Sequence, residues 1–289
     1  MPEATSMERL RLHRAADALL SSGQVLFSLA IISLGIETWT CARYVSHSLG
    51  PRYNVLPVLP WLPAIPWLAY LFGAIWVACG VGLIFHRTLR TAAITLSGLL
   101  FLSALSLDVP KNAANIGNIS LRTVVFETLA TASLAWLLQG RSATPSFLTR
   151  GSRYLLALSL IVFGVDHFLA LAFIATLLPG WIPWHVFWVA FFGAAFIAAG
   201  LSIGLNFVSR WGAACIGLMF AIWVVTLHLP RVLGLYGIPG APRDPNEWSS
   251  LLIAIALSGG FWALARAHVG NPVENTGIPS ERSCQSVEK

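Results

Sequence analysis

Long apolar runs, broken by short polar stretches rich in Pro, Gly and basic residues, set the pattern of this chain. A membrane-crossing helix needs about 20 mostly apolar residues. Eight segments meet that need, roughly 18–42, 66–86, 91–108, 119–138, 154–178, 184–207, 210–228 and 248–267. The third is short and is expected to stand nearly upright. The first follows Arg9, Arg11 and Arg14, as a signal peptide would, but it runs on to about residue 40 with no small-x-small cleavage site. It reads as a retained first helix. The predicted fold class is therefore all-α, a polytopic integral membrane protein with eight transmembrane helices.

The pattern also repeats. Residues 61–111 align with 181–231 without a gap at an offset of 120, with 11 identities in 51 positions. Trp61 matches Trp181, Pro63 matches Pro183, Gly73 matches Gly193, Gly80 matches Gly200, Arg90 matches Arg210 and Pro110 matches Pro230. A fixed period that keeps Trp, Pro and Gly in register marks a duplicated unit. Four helices fall in each copy, and an even number makes the repeat parallel rather than inverted. Two parallel-repeat four-helix bundles are expected, over residues 1–140 and 141–270, with a disordered cytoplasmic tail at 271–289. The polar stretch from Gln139 to Pro145 reads as the linker.

Composition agrees with lipid as the solvent. Apolar residues make up 56% of the chain and charged residues 10%, whereas soluble domains carry about 25% charged residues. The net charge of +6 is not a nucleic-acid footprint, because Lys and Arg are scattered through short connections. Those connections orient the chain. The N-tail, the 2–3, 4–5 and 6–7 connections and the C-tail hold 12 of the 18 basic residues. The positive-inside rule then puts both termini in the cytoplasm. Cys41, Cys79, Cys215 and Cys284 form no C-x-x-C pair, and Cys79 and Cys215 read as small buried helix residues. Gly73 and Gly80, and Gly193, Gly200 and Gly204, are spaced to share helix faces and pack closely.

Ionisable side chains are costly inside a bilayer, so they are the best functional clues. Asp166 and His167 lie in the fifth segment and Glu37 in the first; aligning Gly35 with Gly164 sets Glu37 opposite Asp166 at an offset of 129. Pro110 and Pro230 are expected to stop the third and seventh helices. That leaves Asp108 and His228 at the outer boundary, with Lys111 and Arg231 three residues later. His185 opens the sixth helix. In the second copy Asp166, His167, His185, His228 and Arg231 are candidate outer-side binding residues, with Trp181 and Trp184 as a roof. Asp166 is expected to meet Arg231 or His228. Glu37, Asp108, Lys111 and Trp61 are the repeat equivalents. Glu127 is an intramembrane acid expected to face the interior. The Trp and Pro residues of the outer turns also read as interface anchors and turn formers, and the charges also read as a structural clamp. No spacing of His, Asp or Glu supports a metal site, and no nucleophile elbow, P-loop or dinucleotide fingerprint occurs.

Taken in order, the motifs are Gly-x-Asp-His-Phe at Gly164–Phe168 and Leu-Pro-Gly-Trp-Ile-Pro at Leu178–Pro183. A Gly-rich helix, Arg210 with small residues after it, and His-Leu-Pro-Arg at His228–Arg231 follow. This series resembles the DoxX/DoxD-like superfamily of small four-helix bacterial membrane proteins. Residues 154–267 carry the better match and 24–138 look like a diverged copy. The fused pair departs from the usual single unit, as does Thr38 where the second copy has His167. The resemblance implies a protein of the bacterial inner (cytoplasmic) membrane. Some members are linked to quinone-coupled sulfur oxidation or to membrane redox complexes. Relatives that handle thiols need paired cysteines, which are missing here. The function expected is a scaffold or accessory subunit of a membrane complex, with the lipid bilayer and another protein as partners. The alternatives are a quinone-linked redox subunit, with quinone as ligand, and a small-solute or proton-coupled transporter.

Overall fold

The structure, a computed structural model, describes residues 22–40, 66–139, 146–237 and 244–267. Trp61, Cys41, Cys284, the 43–65 connection, the 140–145 linker and the 271–289 tail lie outside the described residues. Among the described residues every regular element is helical. Lipid offers no partners to backbone N–H and C=O groups, and a helix satisfies its own.

The helices are α1 (Ser22–Thr40), α2 (Pro66–Ile84), α3 (Leu89–Ala114), α4 (Ile119–Leu138) and α5 (Phe147–Leu169). They continue with the short α6 (Leu171–Ala175), then α7 (His185–Leu205), α8 (Ser209–Val232) and α9 (Pro245–Ala267). Seven are long and apolar enough to cross a membrane; α2 contributes a shorter apolar stretch, Tyr70–Ile84. The fifth segment starts earlier than its apolar run. Ser146 caps it by accepting from the Thr149 N–H at 3.2 Å, so Arg150 and Arg153 belong to the helix. It also ends earlier, and α6 is a separate turn of helix.

Pro110 and Pro230 do not stop their helices. Each sits just after a π-helical turn, Ala104–Asp108 in α3 and Val224–His228 in α8. Proline lacks an N–H and its ring crowds the carbonyl four residues back. Widening the turn lets the helix pass, with Val109 N–H reaching Ala104 O and Leu229 N–H reaching Val224 O, five residues back. The two π turns are 120 residues apart, and so are their supporting hydroxyls. Ser106 Oγ donates to Leu102 O at 2.7 Å, and Thr226 Oγ1 to Ile222 O at 2.8 Å. Thr226 O, which Pro230 cannot serve, accepts instead from the Tyr236 hydroxyl.

Close helix contacts recur in the same way. A Cβ on Gly35 of α1 would meet Gly73 O and Val77 of α2, and one on Gly164 of α5 would meet Gly193 O and Ile197 of α7. Gly80 lies against Ser28 O and Ile32, and Gly200 against Ala157 O and Ile161. Small residues let backbones approach where lipid supplies no hydrophobic drive. Ser97 Oγ of α3 donates to Ala132 O of α4 at 2.9 Å. In the other half Ser258 Oγ of α9 donates to Gly217 O of α8 at 2.8 Å. Cys79 is buried, but Cys215 is exposed on α8, because its face of the helix has no neighbour among the described residues.

One arrangement crosses the two halves. α5 packs on α4, and α4 packs on α9. α1 packs on α9, with Gly23 and Gly259 backbone to backbone. α9 is the most buried span and α8 the least. The first helix of each half thus lies against the last helix of the other.

Candidate functional site

That crossing decides the partner of Asp166. The acid sits three residues from the end of α5 and is 3% exposed. Arg122 of α4 reaches it, Nε donating to Oδ1 at 2.8 Å and Nη2 donating to the same oxygen. Arg231 does not take part. Its guanidinium forms a two-pronged pair with Glu247 of α9, Nε to Oε2 at 2.7 Å and Nη2 to Oε1 at 2.5 Å. The expected meeting of Asp166 with Arg231 is therefore replaced by two separate pairs. The physical reason is that α5 lies beside α4, so the nearest cation belongs to the other half. Glu37, the counterpart of Asp166, follows the same rule and accepts from Ser249 Oγ of α9 at 2.8 Å.

Beside Asp166 the bundle encloses a cavity of about 1050 Å³. It lies between α5, α7 and α8, with α4 and α9 closing its sides and the 176–184 loop at its mouth. Asp166, His167, His228, Trp181, Trp184 and Glu127 all line it. Trp184, 76% exposed, and Trp181, 68% exposed, stand at the rim, while the buried rings of Phe163, Phe196 and Phe220 form the inner end. Glu127 is seven residues along α4 from Ser120, so the lining reaches about 10 Å down that helix at 1.5 Å per residue. His185 and Arg231 are not in the lining. His185 instead closes the loop, its Nε2 donating to Pro179 O at 3.1 Å. Asp108 is buried at the end of its π turn, with Lys111 one turn beyond; neither borders this cavity.

Three local features shape the lining. The π turn of α8 shifts the helix register and brings Thr226, Leu227 and His228 onto the cavity. Trp184 holds φ 57° and ψ 50° at the start of α7. A bulky side chain rarely adopts this left-handed conformation, which costs about 1–3 kcal/mol where tertiary structure imposes it. His167 is clamped. Its ring stacks on Trp223 at 5.7 Å and 16°, meets Phe196 at 5.2 Å, and its Nδ1 lies 2.7 Å from Phe163 O.

Ten of the lining residues are Phe or Trp, and none is Lys or Arg. The polar side chains of the lining include Asp166 and His167 on α5, Asn118 at the cap of α4 with Ser120, Thr123 and Glu127 along it, Thr226 and His228 on α8, Ser250 on α9 and the Trp188 indole on α7. Asp166 Oδ2 and Trp188 Nε1 are buried without hydrogen-bond partners among the described residues. Such a chamber suits a flat apolar ring carrying oxygen or nitrogen substituents. Among the described residues no three His, Cys, Asp or Glu side chains gather closely enough for a metal ion.

Arg122 and Glu247 escaped the sequence reading. Arg122 carried one signal, as the only basic residue of α4. Compared with models of known protein families, with curated proteins and with solved structures, the chain matches none.

Proposed function

We propose that the protein binds a lipophilic, ring-bearing small molecule within the bilayer, of the quinone type, as part of a membrane redox or carrier system. The observation that carries this reading is the aromatic chamber, with ten Phe and Trp side chains in its lining and with Asp166 and His167 in its wall. A scaffold whose charges serve only as a clamp needs no such chamber, and a volume of about 1050 Å³ lies at the upper limit of the usual range of small-molecule sites. The resemblance to the DoxX/DoxD-like superfamily points the same way. The accessory-subunit reading keeps its place for the rest of the surface, where a protein partner would sit.

The test uses the purified full-length protein in mild detergent. Trp181, Trp184, Trp188 and Trp223 line the cavity, so a short-tailed quinone is expected to quench indole fluorescence saturably. Organic extraction of protein from native membranes is expected to release a quinone in near-stoichiometric amount. Quenching that stays linear with quinone, together with an empty extract, would remove this reading and leave the accessory-subunit one.

We further infer that the chain arose by duplication of a four-helix unit, lies in the bacterial cytoplasmic membrane and keeps both termini inside. The recurring π turns and glycine contacts support the duplication, and the distribution of Arg and Lys supports the orientation. Reporter fusions after Gln139 and after the last residue are expected to read cytoplasmic. An external reading at either point contradicts the topology, and the cavity mouth would then face the cytoplasm.

A further inference from the structure

His167 gives the cavity a chemical preference that goes beyond ring size. Its Nδ1 lies 2.7 Å from the backbone oxygen of Phe163. A carbonyl can only accept, so Nδ1 carries the proton and donates. In the neutral ring the other nitrogen, Nε2, is then an acceptor. Stacking on Trp223 and contact with Phe196 hold the ring against rotation. Nε2 has no protein hydrogen-bond donor among the described residues, and His167 lines the cavity. The adjacent Asp166 adds a second acceptor, because Arg122 engages only Oδ1 and Oδ2 is left without a partner among the described residues.

Resting on the binding reading above, we propose that the cavity selects the hydroxyl-bearing form of its ring ligand, a hydroquinone or phenol, with His167 Nε2 accepting the hydroxyl hydrogen. The quinone form of the same ring has only acceptor oxygens, so both would face acceptors on this side of the chamber. A hydroxyl oxygen also accepts, which suits the Trp188 indole N–H. An ether can serve the indole but not His167. No electron transfer is part of this step; a hydrogen bond forms, and the proton stays on the ligand.

The experiment compares three short-tailed ligands of one ring, the hydroquinone, its dimethyl ether and the quinone, by indole quenching under anaerobic conditions. The hydroquinone is expected to bind about tenfold or more tightly than either of the others, the effect of one buried hydrogen bond and the acceptor its loss leaves unpaired. His167→Phe is expected to erase that preference while still binding the ether. His167→Gln, whose amide can donate to Phe163 O and accept from the ligand, is expected to keep most of it. If wild type binds all three equally, or prefers the quinone, the proposal is wrong while ring binding stands. If none of the three binds, the binding reading itself fails and this inference with it. A tertiary amine of similar size that binds more tightly than the hydroquinone would also overturn the proposal, by showing that the acceptors are built for a cation. The wild-type comparison decides the matter even where the His167→Phe protein does not fold.

Discussion

Replacing Arg122 with Met is expected to destabilise the protein by about 3–5 kcal/mol, the usual effect of stripping one partner from a buried ion pair. Asp166 is 3% exposed and its carboxylate has no second cation in the structure as described. Asp166→Asn should cost less, about 1–3 kcal/mol, because the side chain of Arg122 is 25% exposed. That guanidinium can swing toward the polar end of the bundle on its long stem. The double replacement, Arg122→Met with Asp166→Leu, should return to within about 1–2 kcal/mol of wild type, since a packed apolar pair often serves as well as a buried ionic one. Thermal or SDS unfolding in detergent reads all three. The order matters more than the sizes. If Arg122→Met unfolds at the wild-type midpoint, the pair does not join the two halves energetically.

The second large effect concerns backbone contact. Gly164→Val is expected to cost about 3 kcal/mol or more, above the usual range for overpacking because the atoms in the way cannot retreat. A Cβ at Gly164 would lie 2.5 Å from Gly193 O and 2.5 Å from Ile197 Cγ1. The first is backbone of a neighbouring helix, so relief requires α5 and α7 to part along their contact. Gly35→Val should behave alike in the other half, where Gly73 O is 2.8 Å away. Gly98 supplies the control. Nothing lies within 4 Å of its would-be Cβ, and Gly98→Ala should leave stability unchanged or raise it by up to about 1 kcal/mol through helix propensity. Equal losses at Gly98 and Gly164 would show that helix contact is not what the glycine at 164 provides. Opening the α5–α7 contact should also loosen the cavity wall, because His167 and Phe168 pack over Gly193.

These expectations separate two kinds of information. Seven of the eight expected spans were legible from sequence, because the bilayer sets a length and a polarity for every crossing segment. Pairs of close contacts were legible too, since Gly73 and Gly80 keep their register with Gly193 and Gly200, and lipid rewards small residues where helices touch. So was the cavity cluster in part. Asp166, His167, His228, Trp181, Trp184 and Glu127 stood out as polar or aromatic residues in costly or interfacial positions, and the structure sets all six around one chamber.

Pairing was not legible. Arg231 follows Pro230 at a short distance from His228, so linear proximity suggested that it would serve Asp166. It serves Glu247 instead. Which helix lies beside which depends on the summed packing of whole faces, and no single residue reports that sum. The π turns were hidden for a related reason. Pro110 and Pro230 announce a local conflict, but whether a helix breaks or widens there depends on what can satisfy the displaced carbonyls. Here Ser106, Thr226 and Tyr236 do so, and Tyr236 reaches Thr226 only in the folded chain. By itself, then, the sequence determined an all-helical chain with long apolar segments suited to a membrane, and it singled out six of the side chains that line the cavity. The tertiary structure alone decided that α5 rests on α4, that Arg122 closes on Asp166, and that a chamber remains beside them. Hydrophobicity and period act along the chain, whereas ion pairs and cavities arise only where distant helices meet.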